Sequence, residues 1–134
     1  MREIEFRAKT SSEVNGFNHK KDGTWVYGYY RDRIGCPTIS EFSFADADYI
    51  DYEVDIKTLG QYTGLKDKNG EKIYEGDILE FEFCDIGKQF AIVEFTKKYA
   101  SFTLKPLANF EFALISDGKV IGNIYDNPEL LEAE

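Results

Sequence analysis

The chain has 134 residues, of which 43% are hydrophobic and 16% aromatic, a composition that excludes an intrinsically disordered protein and is sufficient for one cohesive core. Its 16 basic and 25 acidic residues give a formal net charge of -9. A negative field of this size repels phosphate backbones and anionic lipid surfaces, so neither nucleic acid nor a membrane is the expected partner.

The two cysteines and the amino-terminal sequence indicate a cytoplasmic protein. Cys36 and Cys84 lack the paired spacing of a metal-ligand motif and fit a reducing compartment. The alternative, a single disulfide, requires their Cα atoms to lie within about 7 Å. The first residues lead directly into strand-like sequence without the apolar core of a signal peptide, and no window approaches the roughly 18 apolar residues of a membrane span.

Strand-like segments separated by turn residues predict a mainly β protein with antiparallel sheets. Gly28, inside an aromatic strand, indicates a bulge or a close backbone approach. Between residues 50 and 56, apolar and acidic residues alternate, so we expect Ile50, Tyr52, Val54 and Ile56 to face the core. The predicted strands of this half are 4–8, 25–30 and 50–56, with 9–20 as a polar loop.

The second half contains the strongest local signal, Asn69-Gly70, which supplies the positive φ angles of a tight hairpin turn. A capping residue before Pro128 and an acid after it predict a short helical turn at the carboxyl end. The segment 110–115 can form either a strand or a helix. The predicted strands are 72–74, 77–83, 89–95, 99–104, 110–115 and 119–124, with a hairpin connection at 85–88.

Three evenly spaced glycines in the centre of the chain predict two tight turns and one crowded crossing in a small curled sheet. They are Gly64, Gly70 and Gly76. The pair Gly76-Asp77 precedes an apolar strand, an arrangement found at the strand entry of many SH3-like barrels. We therefore expect an SH3-like, partly open barrel, an analogy that concerns the fold alone.

The stretch from Gly60 to Ile78, GQYTGLKDKNGEKIYEGDI, resembles the YopX family of phage and prophage proteins. Residues 6–7 with 25–28, and residues 120–131, match the same family in order and spacing, whereas Ala8 stands where many relatives have glycine. The matching positions singled out as the structural motif are Gly64, Asn69, Gly70, Gly76, Asp77, Gly122, Asn123 and Pro128.

The resemblance implies a single YopX-like domain over residues 1–134, encoded by a mobile element of Gram-positive bacteria and located in the cytoplasm of the bacterial host cell. A subdivision into an amino-terminal sheet region, 1–58, and an SH3-like region, 59–134, is the alternative. The resemblance implies no particular biochemical activity.

No catalytic, cofactor-binding or metal-binding residue stands out, and we expect a non-enzymatic protein. His19 is the only histidine, and we expect it to be exposed in the polar loop. The acidic segment beginning at Asp46 lacks the third ligand position and the glycine of an EF-hand loop. The central glycines match no phosphate-binding pattern. A hydrolase that uses carboxylates and a divalent metal is the least favoured alternative.

The leading hypothesis is an accessory protein that acts through protein contacts or self-association. The aromatic residues of one strand cannot all face a single core, so those on its other face are candidate interface residues. They belong to the set Trp25, Tyr27, Tyr29 and Tyr30.

Two alternatives involve nucleic acid. The first is a nucleic-acid-binding SH3-like module, in which a local basic patch is interleaved with aromatic residues but is offset by neighbouring acids. That patch consists of Lys66, Lys68 and Lys72 beside Tyr62 and Tyr74. The second is imitation of DNA by an acidic stripe, formed by Asp46, Asp48, Asp51, Glu53 and Asp55.

Overall fold

The computed structural model describes residues 3–11, 23–83, 87–97, 100–105 and 117–131. These residues are mainly in β-strands, with short 3₁₀ turns at Ile56–Thr58 and Pro128–Leu131. The strands are β1 (Phe6–Lys9), β2 (Trp25–Arg33), β3 (Cys36–Ser43), β4 (Asp48–Glu53), β5 (Gly60–Lys66), β6 (Lys72–Tyr74), β7 (Asp77–Phe83), β8 (Gly87–Thr96), β9 (Ser101–Lys105) and β10 (Lys119–Asn123).

The strands form two antiparallel sheets, with the orders β4-β3-β2-β1-β5-β6 and β10-β7-β8-β9. The predicted mainly β fold with a short helical turn near its carboxyl end is therefore confirmed. The described strands do not close a barrel, so the SH3-like analogy stays a prediction. The candidate strand at 110–115, His19 and Cys84 lie outside the described residues.

The chain divides into two compact units, Met1–Tyr62 and Thr63–Glu134, with the boundary inside β5. In the first unit, β1 pairs with β2 and with the first residues of β5, and β2, β3 and β4 follow as an antiparallel meander. One side of this sheet carries the buried cluster Ala8, Val26, Ile39, Tyr52 and Val54, with Phe6, Tyr30, Ile50 and Leu59 packed against it.

The alternation predicted for residues 50–56 is confirmed over its first part. Tyr52 and Val54 are buried and Ile50 packs against the same cluster. The prediction for Ile56 was wrong, because its side chain is half exposed. The strand ends before it: the Asp55 carboxylate accepts a hydrogen bond from the Lys57 backbone N–H at 3.0 Å and so caps a 3₁₀ turn.

Gly28 lies where β2 stops pairing with β1 and begins to pair with β3. A Cβ atom built on Gly28 would lie 2.0 Å from the Ser40 carbonyl oxygen, a distance that no side chain tolerates. The predicted close backbone approach is therefore present. At the same place the Tyr27 backbone N–H donates to the Glu41 carboxylate at 3.0 Å. Because position 28 has no side chain, β2 can pair with β1 before it and with β3 after it.

The second unit buries a separate cluster, to which β6 and the strands β7, β8 and β9 contribute. Hydrogen-bonded ladders join β7 to β8, β8 to β9 and β10 to β7. β7 and β8 pair antiparallel, as the predicted hairpin requires, but Gly87 and Lys88 of the predicted connection belong to β8, and residues 85 and 86 lie outside the described residues. The cluster consists of Ile73, Leu79, Phe81, Ala91, Val93, Phe102 and Leu104, with Leu65 and Val120 packed against it.

Asp67, buried to 6% exposure, organises the hairpin between β5 and β6. One carboxylate oxygen accepts the backbone N–H groups of Asn69 and Glu71, at 2.8 and 2.9 Å. The other accepts the N–H of Val120 in β10 at 2.9 Å. Burial alone would raise the pKa of the Asp67 carboxyl, but the N–H donors of Val120 and the turn outweigh it and lower the pKa.

The other motif positions also have backbone roles. Gly64, Gly70 and Gly76 all have positive φ, at 89°, 85° and 93°, as turns and tight crossings require. The buried Asp77 carboxylate accepts the Tyr74 N–H at 2.8 Å.

The motif positions near the carboxyl end form a second set of turn contacts. The side-chain oxygen of Asn123 accepts the N–H groups of the next turn, and the side-chain oxygen of Asn127 accepts the Asn123 N–H at 3.2 Å. Gly122 leaves room for the Asn127 side chain, and Pro128 begins the 3₁₀ turn.

We predict that Gly28→Ala lowers the free energy of unfolding by at least about 3 kcal/mol, because β3 must move away from the new methyl group. Gly35→Ala is the control: Gly35 has a φ of 79° but no atom within 4 Å of a new Cβ, so its cost should be about 1 kcal/mol. Urea unfolding measures both. A smaller loss at position 28 than at position 35 would contradict the close approach.

We predict that Asp67→Asn lowers the free energy of unfolding by about 1–3 kcal/mol at neutral pH, because the N–H of Val120 loses its carboxylate acceptor. Since folding lowers the pKa of Asp67, this contribution is present above the unfolded pKa of about 3.9 and is lost as the pH falls through the folded pKa.

The test for Asp67 is urea unfolding of both proteins over a series of pH values. The difference between wild type and variant should shrink in acid. Asp32→Asn, at an exposed position of β2, controls for the removal of one negative charge. A difference that does not change with pH would refute the role of the ionised carboxylate.

Candidate interaction surface

The side of the first unit's sheet opposite to its core carries a group of exposed aromatic side chains. Tyr27 and Tyr29 come from β2, Phe42 from β3, Tyr49 from β4, and Phe44 from the turn that follows β3. Their exposed fractions are 39%, 57%, 41%, 50% and 91% in that order. We call these five residues the aromatic surface.

The strand register explains why these rings lie together. Tyr29 is paired with Ser40, which is paired with Asp51, and two residues farther along β3 Phe42 is paired with Tyr49. Directly paired residues project from the same side of a sheet. The neighbouring row, Tyr30 with Ile39 and Tyr52, projects into the core.

Four of the five rings contact one another. The Phe42 ring meets Phe44 edge-on with centroids 4.9 Å apart, and it meets Tyr49 edge-on at 5.3 Å. Tyr49 in turn lies 5.8 Å from Tyr29. These separations are within the range of favourable aromatic pairs. The rings therefore hold one another in place on the sheet.

A cleft of about 240 Å³ opens between this surface and the segment that precedes β1. The rings of Tyr27, Tyr29, Phe42 and Tyr49 line it, together with Gly28 and Ser40 of the sheet. The preceding segment contributes Glu3, Ile4 and Glu5. The two charged residues among those that line the cleft are thus both acidic.

A polar network borders the aromatic surface at the far end of β2. The Asp51 carboxylate accepts a hydrogen bond from the Ser40 hydroxyl at 2.5 Å and forms ion pairs with Arg31 at 3.2 Å and Arg33 at 2.7 Å. The Ser40 hydrogen bond and the two guanidinium groups together outweigh partial burial and lower the pKa of Asp51. The network joins the side chains of β2, β3 and β4.

At the other end of β2, Trp25 holds two cations. The Arg7 guanidinium carbon lies 4.7 Å from the centroid of the Trp25 ring and the Lys9 Nζ lies 5.4 Å from it. Both separations are within cation–π range. Arg7 and Lys9 reach the ring because β1 pairs Arg7 with Tyr27 and Lys9 with Trp25.

The four aromatic residues predicted as interface candidates therefore divide. Tyr27 and Tyr29 belong to the aromatic surface, and Trp25 is half-buried beside Arg7 and Lys9. Tyr30 packs against the core, with its ring 5.9 Å from that of Phe6. Their role as an interface stays a prediction.

Sequence reasoning missed Phe42, Phe44 and Tyr49. Residues 39–42, Ile-Ser-Glu-Phe, place one apolar and one polar residue on each face of a strand, so the segment lacks the alternation that predicts one, and Cys36-Pro37 also concealed the start of β3.

The structure gives little support to the basic patch and the acidic stripe as binding sites. Tyr62 and Tyr74, which were expected beside a basic patch, are buried at 4% and 5% exposure and offer no stacking face. In the acidic stripe, Asp51 is neutralised by Arg31 and Arg33. Cys36 is an exposed free thiol. Among the described residues, no group of three or more His, Cys, Asp and Glu side chains is placed to hold a metal ion.

The described part of the chain contains no helix with the length and apolar character needed to cross a membrane.

Comparison with known proteins then places the chain. A model of the family described as YopX protein matches residues 3–132. This chain belongs to the YopX family. The family resemblance read from residues 6–7, 25–28, 60–78 and 120–131 is thereby confirmed.

One solved structure is similar over its whole length: the crystal structure of protein EF1440 from Enterococcus faecalis. The alignment covers 98% of this chain and 99% of that one, with a TM-score of 0.58 and 21% sequence identity. A likeness at this identity shows that the two share the fold. No curated protein matches the sequence significantly.

The contact between Tyr29 and Tyr49 yields a direct test of the aromatic surface. The negative charge of an ionised Tyr29 raises the pKa of Tyr49, and partial burial and the hydrogen bond between the two side chains add to this. We predict that Tyr29→Phe, which retains the ring, lowers the pKa of Tyr49 toward the usual value of about 10.

The measurement is an NMR titration of tyrosine labelled with ¹³C at Cζ. Phe42→Leu is the control, because Phe42 touches the Tyr49 ring but carries no ionisable group, and it should leave the Tyr49 titration nearly unchanged. An identical Tyr49 titration in wild type and Tyr29→Phe would show that the two hydroxyls do not meet.

Proposed function

We propose that this member of the YopX family is a non-enzymatic accessory protein of a phage or prophage, located in the host cytoplasm, that binds a protein through its aromatic surface. The observation that carries the proposal is the group of five exposed aromatic side chains on β2, β3, β4 and the turn after β3, four of which contact one another. Contiguous exposed apolar patches are rare on monomers and commonly mark interaction sites.

The chemistry of these side chains suits protein contacts. Tyrosine and phenylalanine are enriched at protein interfaces because they combine a large apolar area with few rotatable bonds. Tyrosine hydroxyls are protonated at neutral pH because their usual pKa is about 10, so those of the aromatic surface can donate a hydrogen bond to a partner. A protonated phenol is less suited to acting as a general base at this pH.

The arrangement is also rigid before any partner arrives. Tyr29, Phe42 and Tyr49 project from β2, β3 and β4. Ser40, Asp51 and the two arginines join those strands beside them. A preorganised surface loses less conformational entropy on binding than a flexible one. The sheet therefore presents the anchors in a fixed geometry.

Three observations make nucleic acid the weaker candidate. The tyrosines next to the sequence's basic patch, Tyr62 and Tyr74, are buried. Arg31 and Arg33, which adjoin the aromatic surface, are already engaged by Asp51, and the chain has a net charge of -9. Phosphate contacts supply most of the affinity in non-specific nucleic-acid complexes, and these features oppose them.

We predict that a photo-crosslinking residue, p-benzoylphenylalanine, in place of Phe44 traps a protein in cells in which the phage or prophage is active. The same residue in place of Phe95, an aromatic of β8 that is 45% exposed, is the control and should give little adduct. The double change Tyr29→Ser and Tyr49→Ser should reduce the yield from position 44, because it removes neighbouring anchors.

The adducts are identified by mass spectrometry. Equal yields from positions 44 and 95, or adducts with nucleic acid alone, would refute the proposal. Light scattering at high concentration separates its two forms, since a mass of 15.4 kDa removes self-association and leaves a different protein as the partner.

A further inference from the structure

We infer that the partner is a positively charged polypeptide segment, whose arginine or lysine side chain enters the cleft of the aromatic surface. This inference rests on the proposed function and adds the chemistry of the partner. It starts from the composition of the cleft: four aromatic residues line it and the charged residues in its lining are Glu3 and Glu5. Ring faces and carboxylates together attract a cation.

The same side of the sheet already shows this chemistry within the chain. Two residues along β2 from Tyr27, the Trp25 ring has the Arg7 guanidinium at 4.7 Å and the Lys9 ammonium within 5.4 Å of its centroid. These are intramolecular examples of a cation held over an aromatic residue of this strand. Tyr27 and Tyr29 are the next alternate residues of β2, so they project from the same side as Trp25, and they line the cleft.

The charges around the aromatic surface favour a cationic occupant. The charged residues of the cleft lining are Glu3 and Glu5, and the basic residues of β1, Arg7 and Lys9, lie over the Trp25 ring. The basic residues at the far end of β2, Arg31 and Arg33, share Asp51 as a counter-ion. A cation that approaches the cleft therefore meets the carboxylates of the amino-terminal segment.

The charge of the chain selects between possible occupants. A second copy brings another net charge of -9, and a nucleic acid brings its phosphates, so both are repelled on approach. A basic segment is attracted, and electrostatic steering accelerates its association. The volume of about 240 Å³ suits one side chain and its neighbours more than a folded domain.

The test is fluorescence polarisation at low salt with three labelled probes: a peptide of alternating arginine and glycine, its glutamate counterpart, and a single-stranded oligonucleotide. The arginine peptide should bind, and the other two should not. Added salt should weaken binding only in part, because the cation–aromatic contacts in the cleft are less screened than long-range attraction.

Four variants separate the cleft from the general charge of the chain. Tyr29→Leu and Tyr49→Leu should each lower the affinity for the arginine peptide roughly fivefold to tenfold, and neither changes the net charge. Glu5→Gln should weaken it as well. The control, Glu82→Gln at an exposed position of β7, removes the same charge in the second unit and should bind as wild type.

Three results would overturn the inference: no binding of the arginine peptide, equal losses in Glu5→Gln and Glu82→Gln, or preferential binding of the oligonucleotide. Chemical-shift dispersion of each variant shows that it is folded, so that a lost affinity can be assigned to the cleft. A protein adduct from position 44 combined with no peptide binding would preserve the proposed function and reject only the cationic partner.

Discussion

The missing side chain at Gly28 is the constraint on which the first unit depends. Up to this residue β2 pairs with β1, and from the next residue it pairs with β3. The Ser40 carbonyl occupies the space where any other residue would have its Cβ. Because β3 can approach this closely, Tyr29 and Ser40 come into register, and the positions of Phe42 and Tyr49 follow from that register.

Much of the fold could be predicted where local chemistry and backbone geometry agree. Asn69-Gly70 is a strong turn signal, and the turn forms, but only Gly70 of the pair has positive φ, because the turn runs over the four residues from Asp67 to Gly70. Ile50, Tyr52 and Val54 alternate with acids and face the core as expected. The β2–β3 hairpin was not predictable in this way. Its turn is Ile34-Gly35, with φ of 53° and 79°, and isoleucine is among the residues least suited to positive φ.

The interaction surface was predictable only in part, for a related reason. Tyr27 and Tyr29 could be found because an aromatic strand has more rings than one core can hold. Phe42 and Tyr49 join them through strand pairing, and pairing is a property of the fold that composition does not reveal. The number of aromatic residues does not show which of them is buried: Tyr30 packs against the core because it is paired with Ile39. The partners of Arg31 and Arg33 were hidden in the same way, because Asp51 is distant in sequence.

The Asp67 carboxylate has a consequence for how this polypeptide can be divided. Its two oxygens join the β5–β6 hairpin to β10, which is separated from it by 53 positions in sequence. The two stretches that carry the family resemblance, residues 60–78 and 120–131, are thus joined by the hydrogen bond between Asp67 and Val120. Fragments separated between them would each carry an incomplete set of donors and acceptors. Because the Asp67 carboxylate and the Val120 N–H satisfy each other, two fragments expressed separately have a reason to reassociate through this contact.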